Sequence, residues 1–118
     1  MERIGDIGVF RLEGESRLEP AVKRVAEAIH DARELGLRKL MVVTSGLTGL
    51  GPLTVADRLG MVREWAEATQ GRLVMAMVTH PDLIDPERFG VVAAASFGLH
   101  GNVFTSEAPA LDWLGEQP

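Results

Sequence analysis

The sequence contains no cysteine, which excludes a disulfide framework, a thiol nucleophile and a thiolate metal site. It also has no cluster of lysine and arginine, and a formal charge of −5 offers no basic footprint for displacing counterions from nucleic acid. The expected partner is therefore a protein or a small molecule. No segment approaches the roughly 20 apolar residues that cross a bilayer. The start, Met1-Glu-Arg-Ile-Gly-Asp6, lacks the apolar stretch of a signal peptide. A soluble, cytoplasmic protein is expected. What is present suits one globular domain over residues 1–118, with 46% hydrophobic and 25% charged residues, enough to bury a core.

Two hydrophobic periods alternate along the chain. Gly8-Val-Phe-Arg-Leu-Glu13 predicts a first, edge strand with Phe10 and Leu12 on one face and Val9 and Arg11 on the other. From Leu18 the period becomes helical: Val22, Val25, Ala26 and Ile29 form a stripe, Lys23, Arg24, Glu27, Asp31 and Glu34 take the outer positions, and Gly36 ends the helix. Leu40-Met-Val-Val43 and Leu73-Val-Met-Ala-Met-Val78 are apolar throughout, as strands covered on both faces require. Thr54-Val-Ala-Asp57 has capping-box spacing and opens a helix through Leu59, Val62 and Ala66 to Gly71. Asp85-Pro-Glu87 places an N-cap, a proline and an acid at the head of a third helix that should bury Phe89, Val92, Ala93 and Ser96. Asn102–Thr105 reads as a last strand, and Ser106 as the cap of a final helix. This β-α-β-α-β-α-β-α order predicts an α/β fold with a mainly parallel, four-stranded sheet and right-handed crossovers.

Three strands finish on hydroxyl residues: Thr44-Ser45, Thr79-His80 and Thr105-Ser106. Parallel strands put these ends on one edge, where ligands of open α/β sheets commonly bind. The candidate ligand-binding residues are Thr44, Ser45, Gly46, Thr48, Gly49, Gly51, Thr54, His80 and Ser106, an edge suited to a small anionic or amphiphilic ligand. Helix capping and turn closure explain the same hydroxyls. Gly46-Leu-Thr-Gly-Leu-Gly51 lacks the Lys-Ser or Lys-Thr of a P-loop and the Gly-x-Gly-x-x-Gly of a dinucleotide site, so no cofactor is indicated.

Leu12-Glu-Gly-Glu-Ser-Arg-Leu18, the helix after it, Leu40-Met-Val-Val-Thr-Ser-Gly-Leu-Thr48 and the loop into the next helix resemble a STAS domain, the module of anti-sigma-factor antagonists and sulfate transporters. The ending Phe104-Thr-Ser-Glu-Ala-Pro-Ala-Leu-Asp-Trp-Leu114 is similar to the divergent STAS-like branch placed beside lipid-binding CRAL-TRIO domains. The resemblance covers residues 8–114 and implies a non-catalytic regulatory or ligand-binding module. Antagonists of that family carry Asp-Ser-Ser-Gly-Leu at the second helix, with a serine phosphorylated by a partner kinase. Here Gly51, Pro52 and Leu53 fall at the Asp-Ser-Ser positions, so the phosphoacceptor is missing. Thr54 is the nearest hydroxyl, and capping already accounts for it.

The alternative is a small hydrolase or isomerase using Ser45 or Thr44 with His80 and Asp82, although no Gly-x-Ser-x-Gly elbow is present. No histidine pair has metal-ligand spacing, and His30 and His100 read as solvated. Trp113 should pin the last helix to the sheet. Met61 and Trp65 form a second apolar stripe beside Leu59, Val62 and Ala66, which makes them candidates for a homodimer interface.

Overall fold

At the centre of the sheet lies β4 (Lys39–Val43), whose Leu40, Met41 and Val42 are completely buried. An apolar run can sit there only if both faces are covered, and the rest of the fold covers them. The computed structural model describes Met1–Pro118. Around β4 it places β1 (Glu2–Ile4), β2 (Ile7–Arg11), β3 (Gly14–Glu15), α1 (Leu18–Glu34), β5 (Leu47–Thr48), α2 (Val55–Thr69), β6 (Val74–Val78), a 3₁₀ turn (Pro81–Leu83), α3 (Phe89–Ser96), β7 (Gly101–Phe104) and α4 (Glu107–Gly115).

The main sheet runs β1-β2-β4-β6-β7. All neighbours are parallel except β1, which pairs antiparallel with β2. The sheet is thus mixed and five-stranded, where four strands were expected. The extra strand belongs to a hairpin that turns at Gly5-Asp6, with Ile4 facing Ile7 and Gly5 at φ +60°. As a result β2, expected at the edge, lies inside the sheet. β3 and β5 form a separate parallel pair.

The strand order explains the layers. Each crossover steps to the next strand in the same direction, so right-handed connections put every crossover helix on one face. Val22 and Val25 of α1, Val62 and Trp65 of α2, and Ala93 and Ala94 of α3 accordingly share a core with Leu40, Val42 and Met75. On the opposite face α4 alone buries Ala110 and Leu114 against Ile7, Val9, Met41, Val43, Ala76 and Val78. Trp113 is half-buried, its ring tilted on Phe104 at 5.9 Å and edge-on to the exposed His100 at 5.5 Å.

Local signals hold at most helix ends. Gly36 adopts φ +77° after α1, and Leu37 N–H donates to Ala32 O at 3.0 Å, a left-handed stop. Thr54 and Asp57 form a reciprocal capping box at 3.0 and 2.9 Å. Two expectations fail. α3 begins at Phe89, not after Asp85, because Arg88 at φ 57°, ψ 38° breaks the first turn. The shift leaves Val92 65% exposed and Ser96 exposed, while Ala93 and Ala94 face the core. At α4, Ser106 holds the cap position without a side-chain cap bond.

α4 is tied to the sheet by charge as well. The Arg11 guanidinium donates to both Glu107 carboxylate oxygens at 2.6 and 2.9 Å and reaches Glu2 at 3.3 Å. The Arg11 hydrogen bonds hold the Glu107 carboxyl below its ordinary pKa, opposed in part by burial. Solvent access limits the pair to about 1 kcal/mol or less. Because the folded pKa is depressed, that stability is present above the unfolded value of ~4.3 and disappears as pH falls through the lower folded value. A carbon-13 NMR titration should give Glu107 a midpoint below ~4.3, and Arg11→Met should return it to the ordinary range.

Candidate functional site

The loop after β4 is consumed by structure. Thr44 N–H and its hydroxyl both donate to Val78 O, at 2.8 and 3.3 Å, and Leu47 N–H returns to Thr44 O at 3.0 Å. Gly46 O accepts from Gly14 N–H at 3.0 Å and Thr48 O from Ser16 N–H at 2.9 Å, while the Thr48 hydroxyl reaches Gly14 O at 3.4 Å. Gly49 sits at φ +91°, where a Cβ would lie 2.9 Å from Ser16 O. That position needs glycine to let β3 approach. The glycines therefore serve the β3–β5 pairing and its exit. Ser45, Gly46, Thr48, Gly49 and Gly51 are exposed, and Thr54 is spent in the capping box.

Beneath this loop is an apolar cavity of about 130 Å³. Its floor includes Met75, Met77 and Val103 of the sheet, and its walls Val22, Trp65 and Ala94 of the three helices. Leu47, Leu50 and Leu53 close it on the loop side, and Leu83, Ile84 and Val91 form a roof. The strand order never reverses, so the sheet has no switch point, although Thr44 and Thr79 at the ends of β4 and β6 do line this space. From there it extends under the helix layer. Among the polar side chains on its lining are the buried Thr44 and Thr79 and the more accessible Arg58, Asp85, Arg88 and Asn102.

The roof is a short strap held by polar contacts. His80 Nδ1 accepts from Asp82 N–H at 3.2 Å, starting the 3₁₀ turn. Arg58 reaches across from α2 to donate to Leu83 O at 2.8 Å. Asp85 Oδ2 accepts from Glu87 N–H and Phe89 N–H, both at 3.0 Å. Arg88 donates to Asn102 Oδ1, which also accepts from Val103 N–H at 2.8 Å.

Of the expected ligand residues only Thr44 lines the cavity. His80 is exposed and engaged with Asp82, and Ser106 is exposed at the head of α4. The Thr44 hydroxyl donates to Val78 O, and His80 Nδ1 accepts from Asp82 N–H. No group of three or more His, Asp or Glu side chains is placed to hold a metal ion. Trp65, expected at an interface, is turned inward at 8% exposure, with its indole N–H donating to Val22 O at 3.0 Å. Met61 is partly buried beside it on the cavity wall. The second apolar stripe of α2 is thus absorbed by the cavity and by α1.

Arg58, Arg88 and Asn102 escaped the sequence reading. Arg58 carried a signal, since it lies four residues before Val62 and so places a cation on the inward stripe of α2. Arg88 carried none, because its placement depends on the broken turn before α3.

Two substitutions probe this architecture. Arg58→Ala should speed amide exchange across Leu83–Arg88 about tenfold by releasing the strap, measured by hydrogen–deuterium exchange. Thr54→Ala should cost about 1 kcal/mol in urea unfolding, with Thr54→Ser close to the parent protein. No protein-family model matches the chain, and no curated protein or solved structure matches it either.

Proposed function

We propose that the chain is a non-catalytic, STAS-like binding module whose site is the cavity under the helix layer, and that this cavity takes the apolar end of a small ligand. The observation that carries the reading is the pocket itself: an apolar space of about 130 Å³, partly open to solvent and bordered by polar side chains. Interiors normally close such spaces by packing. An apolar cavity of roughly 150 Å³ is already enough to take up benzene. The engagement of Thr44 and His80 in structural hydrogen bonds supports a binding role over a catalytic one. With Gly51, Pro52 and Leu53 where the STAS antagonists carry Asp-Ser-Ser, the proposed module works without the phosphoserine switch.

Affinity from the cavity alone is modest. Each buried methylene contributes roughly 0.8 kcal/mol, so about five give about 4 kcal/mol, a Kd near 1 mM. Titrating labelled protein with 1-hexanol should therefore give saturable amide shifts at Leu47–Leu53, Thr79 and Leu83–Val91 in the millimolar range. Ala94→Leu, which fills the space from α3, should abolish them while leaving the fold intact by circular dichroism. Shifts that do not saturate, or that Ala94→Leu leaves unchanged, would overturn the reading.

A further inference from the structure

Resting on that cavity reading, we infer that the site is built for a monoanionic amphiphile, a short aliphatic carboxylate, and that Arg88 is the residue that takes its carboxylate. Charge on the polar part of the lining sets the class of head group. Arg58 and Arg88 contribute two positive charges and Asp85 one negative, a local excess of a single positive charge. A carboxylate balances that excess, whereas a phosphate monoester, near −2 at neutral pH, overshoots it beside Asp85. An ammonium head would face the two guanidiniums.

The two arginines differ in what they are free to do. Arg58 is partly buried and fastens the strap through Leu83 O at 2.8 Å. Arg88 is exposed and bonds only a neutral amide oxygen, that of Asn102, which it shares with Val103 N–H. A carboxylate is a stronger acceptor for a guanidinium fork than a shared amide oxygen, and it can be met by two parallel N–H bonds. Asp85 forms no ion pair with either arginine, and its Oδ2 accepts from Glu87 N–H and Phe89 N–H.

The backbone adds a second observation. Arg88 is one of two non-glycine residues with positive φ, the other being the cap of α2, Gln70. Arginine in the left-handed region is uncommon, and such residues gather at ligand clamps. Here the conformation ends the Asp85 turn at the head of α3 and sets the guanidinium beside the cavity and Asn102. A ligand with its chain among Leu47, Met77 and Trp65 would present its head to Arg88 in place of Asn102.

Isothermal titration with hexanoate, 1-hexanol and hexyl phosphate, repeated on Arg88→Gln and Arg88→Lys, tests the assignment. Hexanoate should bind about tenfold or more tightly than hexanol and more tightly than hexyl phosphate. Arg88→Gln should erase the preference of hexanoate over hexanol, read as the ratio of the two affinities on the same variant, and Arg88→Lys should keep part of it. Equal binding of hexanoate and hexanol would overturn the carboxylate assignment and leave the cavity reading standing. A preference that survives Arg88→Gln would remove Arg88 from the role, and tighter hexyl phosphate would replace the carboxylate class. Absence of binding by all three would overturn both the inference and the cavity reading.

Discussion

The constraint on which this structure depends is the one-directional order of its parallel strands. β2, β4, β6 and β7 are laid down side by side in chain order, and right-handed crossovers then stack α1, α2 and α3 on the same face. Everything asymmetric about the molecule follows. One face carries three helices and the larger core, the other carries α4 and a thin one. A sheet wound this way offers no crevice between diverging strand ends. Its internal space opens where three helices of unequal length cannot all meet the sheet, and α3, only Phe89–Ser96, is the shortest of them.

The parts of that layout that depend on local chemistry could be read directly. Leu40–Val43 announced a strand buried on both sides, Thr54 and Asp57 a capped helix, and Gly36 a stop. The hairpin was legible in principle, since Ile4-Gly-Asp-Ile7 is a two-residue turn between apolar residues, but β1 is too short to show a period. Where the reading failed, two local rules competed. Asp85-Pro-Glu87 has the composition of a helix start, and Asp85 does accept from Phe89 N–H as a capping residue would. The chain nevertheless turns out of register at Arg88, and every position of the apolar segment that follows is rephased. Because Val91 to Ala95 are all apolar, nothing in their pattern distinguished Val92 outside from Ala94 inside. The glycine-rich loop lacked a phosphate-binding pattern, and its glycines serve backbone approach: at Gly49 a Cβ would meet Ser16 O, just after β3.

The walls of the cavity differ in how firmly they are held. α2 is fixed at both ends, by its capping box and by Arg33, whose guanidinium donates to Ala68 O and Gln70 Oε1 at the helix C-terminus, where a cation suits the exposed carbonyls. Trp65 fastens its middle to α1. The strap from Thr79 to Gly90 has no such backing. It is held by turn hydrogen bonds and by the side chains of Arg58, His80, Asp85 and Arg88 rather than by a helix or sheet ladder, which makes the roof the more compliant wall.

Asn102 ties this compliance to the boundary of the sheet. β7 is an open edge, and the N–H of Val103 points away from β6, where a strand from another molecule would seek it. Asn102 Oδ1 already occupies that donor at 2.8 Å, with Arg88 holding the amide in place. The same side chain that meets Arg88 beside the cavity thus blunts the edge against strand addition. One amide group therefore borders the pocket and fills a donor of the open edge.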